Sequence, residues 1–203
     1  MTRHRRCVSL LLVVGVLASA GISEGAFATN LVQTTVKPSS GAPLTKMMRE
    51  LFAAISSDSV GRANSLFFPR AAYVWMKTGE ISNPGADFDG RLLAFYRLDL
   101  QAYHQRLASH PTTVFVRVNV NARLANWIPP GTCENRVGYW HLPGVRLVLR
   151  SGHRIESVAI DSLISWRGAW YVVHLGPNPR PRNVGTVDSF ALGPGIAGPG
   201  GGC

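Results

Sequence analysis

The chain has 203 residues, 46% of them hydrophobic and 16% charged, with a formal net charge of +10. That length and balance suit one globular domain with its own core and exclude an intrinsically disordered chain. The positive charge sits on dispersed arginines with no basic run, so the clustered footprint of a nucleic-acid-binding protein is missing and no nucleic-acid partner is expected.

Arg3, Arg5 and Arg6 precede an uncharged apolar stretch from Val8 to Ala20, and the small-residue triplets Ala18-Ser19-Ala20 and Ala26-Phe27-Ala28 follow. A basic start, a short apolar run and small residues are the plan of a secretory signal peptide. Residues 1–28 are therefore expected to direct export, with cleavage after Ala20 or Ala28. The alternative is an uncleaved membrane anchor, although the apolar run is shorter than the ~20 residues a spanning helix needs. Loss of Arg3, Arg5, Arg6 and Glu24 takes the formal charge from +10 to about +8. A basic exported chain is drawn to anionic envelope components, a second expected class of partner. Export also permits a disulfide between Cys133 and Cys203. A free thiol and an intermolecular pair, as in a homodimer, stay open beside it. Two distant cysteines lack metal-ligand spacing, so no metal and no cofactor are expected.

Residues 29–42 read as an exposed lead-in. Leu44, Met47, Met48, Leu51, Phe52 and Ile55 recur at three- and four-residue spacing, the mark of an amphipathic helix. Asp58 suits the cap of a short second helix ended by Pro69. Ala71 to Lys77 has strand composition, Thr78 to Gly90 reads as a loop, and Leu92 to Leu107 returns to helical spacing. From Thr112 the pattern alternates. Arg136 to His141 is a weaker strand. Val145–Arg150, His153–Trp166 and Ala169–Leu175 read as three antiparallel strands joined at Ser151-Gly152 and Arg167-Gly168. Residues 177–203 are rich in proline and glycine and are expected to lack fixed structure.

Helices followed by strands predict an α+β domain over residues 43–176, a curved antiparallel sheet with the N-terminal helices on one face. The segment from Met48 to Lys77, with its Leu66-Phe67-Phe68-Pro69 step, resembles the opening of the NTF2-like (SnoaL-like) superfamily. Ile164-Ser165-Trp166-Arg167-Gly168-Ala169-Trp170-Tyr171 resembles that superfamily's closing hairpin. The chain is also similar to exported proteins of high-GC bacteria. The first resemblance implies a cone-shaped cavity between helices and sheet, in a superfamily where some members catalyse and many only bind.

Unbroken pairing outward from the Arg167-Gly168 turn sets Asp161 opposite His174, where a carboxylate could orient an imidazole for acid–base work. The opposite, more apolar face of the sheet is expected to line the cavity, which would turn Asp161 and His174 outward. Tyr73, Trp75, Tyr103, Trp166 and Tyr171 are candidates for an aromatic lining around a small apolar ligand. His104 is expected to face solvent, and Arg146, Arg150 and His153 share a basic side open to an anionic partner. The leading expectation is a secreted, non-enzymatic domain that binds a small apolar ligand or an envelope partner. The alternatives are a small hydrolase- or isomerase-type enzyme using His174 with Asp161, and an accessory domain of an envelope transport assembly.

Overall fold

The computed structural model describes residues 32–202. The expected export segment and Cys203 lie outside them. Helix α1 spans Ala42–Ser56, carries Pro43 in its first turn and buries Leu44, Met48, Leu51 and Ile55 of the stripe read from the spacing, with Met47 and Phe52 half-buried. Helix α2, Val60–Asn64, follows Ser59; Asp58 is the turn residue before it, with φ +51°. The strand expected at 71–77 is instead helix α3, Arg70–Met76. Pro69, fixed at φ −65°, starts it, and the two alanines and Met76 are good helix formers beside Tyr73, Val74 and Trp75. The strand pairing falls one segment earlier. The Phe68 N–H donates to the Val172 carbonyl at 2.9 Å and the Val172 N–H to the Leu66 carbonyl at 3.1 Å.

The expected loop 78–90 is half helical. Asn83 caps helix α4, Pro84–Asp87, by accepting from the Ala86 N–H at 3.0 Å. A π-helical turn, Phe88–Leu92, then leads into helix α5, Leu93–Ala108. Six strands follow: β1 Val114–Asn119, β2 Asn126–Ile128, β3 Tyr139–Ser151, β4 Arg154–Trp166, β5 Ala169–His174 and β6 Ala191–Leu192. They form one antiparallel, unclosed, curved sheet in the order β1-β3-β4-β5, with β2 on β3 and β6 on β4. The β3–β4 turn is Gly152-His153, one residue later than expected, because Ser151 pairs with Arg154. Arg167 and Gly168 both have positive φ, +50° and +83°, as a two-residue hairpin turn requires. Of the face read as apolar, Val145, Leu147, Leu149, Val158, Ile160, Ile164, Trp166 and Leu175 are buried, while Tyr171 and Val173 are half-buried.

The C-terminal segment, 177–202, corrects the expectation of a structureless tail. Strand β5 ends at His174, leaving the first half of β4 without a neighbour on that side. The returning chain takes the place: Ala159 N–H donates to the Asp188 carbonyl at 3.1 Å, and Leu192 and Ala191 pair with Glu156 and Ser157. An unpaired edge is costly, and this strap covers it. Its glycines let backbone lie on backbone: a Cβ at Gly200 would sit 2.1 Å from the Asp161 carbonyl oxygen. Arg180 pairs with Asp99, each side chain only 2% exposed. Composition alone missed these anchors, which are single polar residues between the glycines.

Candidate functional site

A cavity of about 320 Å³ lies between the sheet, α3, the π turn and the C-terminal strap. Phe68, Met76, Leu92, Ile164 and Val173 give it apolar walls, and His141, Ser162 and His174 line it too. It falls within the size range of small-molecule sites, at the lower end.

A β-bulge puts His174 there. Leu163 pairs with Val172, as expected, but the next pair is Ser162 with His174, so Val173 is an extra residue. The expected Asp161–His174 pair is therefore not formed: the bulge moves His174 opposite Ser162 and onto the cavity side. Strand β3 supplies His141 on the same side, its Nε2 3.1 Å from Ser162 Oγ. Ser162 Oγ in turn donates to Asp161 Oδ2 at 3.0 Å, and Asp161 Oδ1 accepts the Gly201 N–H at 2.8 Å. The carboxylate thus holds the strap and the serine, while His174 Nε2 lies 3.4 Å from Asn178 Nδ2.

The helix at 70–76 decides which aromatic side chains face the cavity. In a strand, Tyr73, Trp75 and Lys77 would share a face; on a helix Tyr73 and Lys77, four residues apart, share one and Trp75 turns away. Tyr73 and Lys77 line the cavity, with Lys77 Nζ 5.0 Å from the Tyr73 ring centre. Trp75 stacks edge-on against Trp166 and borders a separate open groove with Trp127 and Val137. Tyr103 is core: its hydroxyl serves the Ala159 and Leu175 carbonyls and accepts the Asp188 N–H. Trp166 and Tyr171 pack against Phe68. Of the five expected lining residues, the structure brings only Tyr73 to the cavity.

No local pattern points to Arg91 or the 133–135 loop, yet both line the cavity. The Arg91 guanidinium grips Asp87, Nε to Oδ1 at 2.7 Å and Nη2 to Oδ2 at 2.6 Å, and reaches the Tyr73 hydroxyl at 3.1 Å. The Tyr73 hydroxyl donates to the same carboxylate. Cys133 and Glu134 hold left-handed φ values of +55° and +57°, unusual for side-chain-bearing residues. The loop is fixed there because the Thr78 N–H donates to the Glu134 carbonyl and the Arg136 N–H to the Met76 carbonyl, each at 2.8 Å. Cys133 is disulfide-bonded; the expected partner, Cys203, lies outside the described residues.

Burial shapes the charges. His174 titrates at about 4, pushed down by desolvation and then by the positive Arg91, by His141 when protonated, and by Arg180. His141 is lowered by burial as well. Both imidazoles are therefore neutral near pH 7. Burial lowers the Lys77 ammonium against the opposing pull of Glu134, and raises Tyr139 to about 12. Burial also raises Asp161, while the hydrogen bonds from Gly201 and Ser162 pull it back. Arg91 holds Asp87 below the usual carboxylate range.

Two further expectations change. His104 is not turned to solvent, since its Nδ1 lies 2.8 Å from the Ile55 carbonyl oxygen. Arg146 is not part of an open basic side: it is 4% exposed beneath the strap, donating to Ser157 Oγ at 3.0 Å and to the Ser189 carbonyl. Among the described residues no group of three or more His, Cys, Asp and Glu side chains is placed to hold a metal ion. No described helix is long and apolar enough to cross a membrane. No family model matches the chain, and neither a curated protein nor a solved structure matches it.

Proposed function

We propose that this chain is an exported, NTF2-like binding domain whose cavity holds one compact organic molecule. The observation that carries the reading is the lining itself: apolar walls around a group of polar side chains that could fix a ligand's orientation. An apolar body would pack on Phe68, Met76, Leu92, Ile164 and Val173, with a polar end towards His141, Ser162 and His174.

Binding is favoured over catalysis by the polar groups' own partners. Ser162 Oγ lies between Asp161 Oδ2 and the Gly201 carbonyl oxygen, at 3.0 and 3.2 Å, a tie from β4 to the strap. A histidine that titrates at about 4 is a weak base at neutral pH.

The test is a fragment screen by ligand-observed NMR on the wild type and on Val173→Phe, which fills the cavity. Both proteins are first checked for equal circular dichroism. Fragments that bind the wild type and lose binding to the variant support the reading. Equal binding to both, or no binding to the wild type, refutes it.

A further inference from the structure

Lys77, Arg91, His141, His174 and the Tyr139 hydroxyl give the cavity many hydrogen-bond donors and few carboxylate acceptors. Arg91 engages Asp87 and Tyr73 through Nε and Nη2, and its Nη1 makes no hydrogen bond among the described residues. Lys77 Nζ donates to the Cys133 carbonyl at 3.0 Å, and its carboxylate neighbour, Glu134, stands off at 3.7 Å with a half-exposed side chain. Among the described lining residues Glu134 is the only carboxylate. The charged neighbours that act on His174 are Arg91 from the π turn and Arg180 from the strap, each paired with a carboxylate, Asp87 and Asp99; His141 from β3 adds to them when it is protonated. Ser162 from β4 and Asn178 from the strap also border it, both uncharged.

We infer that the molecule this cavity takes is an organic monocarboxylate with a short aliphatic or aromatic body. The inference rests on the binding reading above and narrows it to one chemical class. A carboxylate supplies an acceptor for Arg91 Nη1 and for the remaining Lys77 N–H groups, and a negative charge beside the positive Arg91 and Arg180 that act on His174. At about 320 Å³ the cavity has room well beyond a bare inorganic anion, since one water occupies ~30 Å³ of liquid. Its apolar walls call for carbon. A bound anion also stabilises the imidazolium form of His174, so binding takes up a proton and tightens as the pH falls.

Isothermal titration of the full chain compares hexanoate, hexanamide and inorganic phosphate at about pH 6, in buffers of different ionisation enthalpy. Hexanoate is expected to bind about tenfold or more tighter than the amide, a difference of ~1.4 kcal/mol or more. Its heat should vary with buffer in the sense of proton uptake, and its affinity should rise from neutral pH towards about pH 5. Lys77→Met should lose most of the preference for the acid over the amide while still binding the amide. Equal or tighter amide binding overturns the inference and leaves the binding reading standing. Displacement of hexanoate by equimolar phosphate overturns it in favour of an inorganic anion. An affinity indifferent to pH in the wild type overturns it without recourse to any variant.

Discussion

Replacing Arg180 by methionine tests whether the C-terminal strap is part of the fold. The Arg180 and Asp99 side chains are each 2% exposed. Asp99 also accepts the Gly176 N–H at 2.9 Å and the Thr186 N–H at 3.0 Å, so one carboxylate pins both ends of the strap's first turn. Arg180 further donates to the Val184 carbonyl and lies 4.9 Å over the Phe95 ring. Methionine keeps the apolar contact with Phe95 and leaves a buried carboxylate without its cation. Breaking such a pair from one side costs ~3–5 kcal/mol. At about 2–4 °C per kcal/mol for a chain of this size, the melting temperature should fall by roughly 6–20 °C. Burial already raises Asp99 against the pull of Arg180. Without the arginine its folded-state value rises further, and a raised carboxylate gives stability that is lost as pH increases. The deficit of Arg180→Met should therefore grow from acid to neutral pH, and Asp99→Asn in the same chain should recover part of it. Denaturant midpoints across that range read all three effects. A loss below ~1 kcal/mol, the scale of an exposed ion pair, would mean that the strap is not anchored as described.

His174 titrates at about 4 in the fold against 6.5 for an ordinary histidine. The folded value is depressed, so its contribution is fully present above about 6.5 and is lost as pH falls towards 4, by ~3 kcal/mol, measurable as denaturant midpoints. His174→Gln should flatten that slope, and an unchanged slope would assign the acid sensitivity elsewhere. Gly200→Ala pushes a Cβ against the Asp161 carbonyl and should cost ~1–3 kcal/mol in thermal or chemical denaturation. Gly202→Ala, with open space around it, should be silent. Tyr103→Phe leaves the Asp188 N–H without its acceptor and should cost ~1–3 kcal/mol, whereas a neutral result would show that the strap reseats on another group. Peptide mapping without reduction should recover Cys133 joined to Cys203, and a Cys133–Cys133 peptide from two chains would contradict that pairing.

Periodicity made α1, α5 and the final hairpins legible. Their apolar stripes and alternations are long, and the Arg167-Gly168 turn sets the first pairs of β4 with β5. It failed where a short segment had two readings. Tyr73-Val74-Trp75 has strand composition, but Pro69 and the neighbouring alanines start a helix, which sends Trp75 away from the cavity and keeps Tyr73 in it. The cavity-lining histidines depended on one bulge. Consecutive Val172 and Val173 break the two-residue alternation, and that break is the local signal that His174 changes sides. Arg91 and the loop at 133–135 come to the cavity through long-range backbone contacts to residues 76–78 and a π turn, which no local pattern announces. The strap was misread because glycine and proline mark mobile linkers and close-packed backbone alike. Here Arg180, Asp188 and Gly200 decide for packing.

Imidazole nitrogen–proton correlation spectra recorded during a hexanoate titration read whether the cavity lined by His141 and His174 is the ligand site. The His141 and His174 signals should start as neutral imidazoles and shift together along one saturable curve. The signals of the exposed His110 and His153 should stay fixed. Binding that leaves His141 and His174 unmoved would place the ligand elsewhere on the protein.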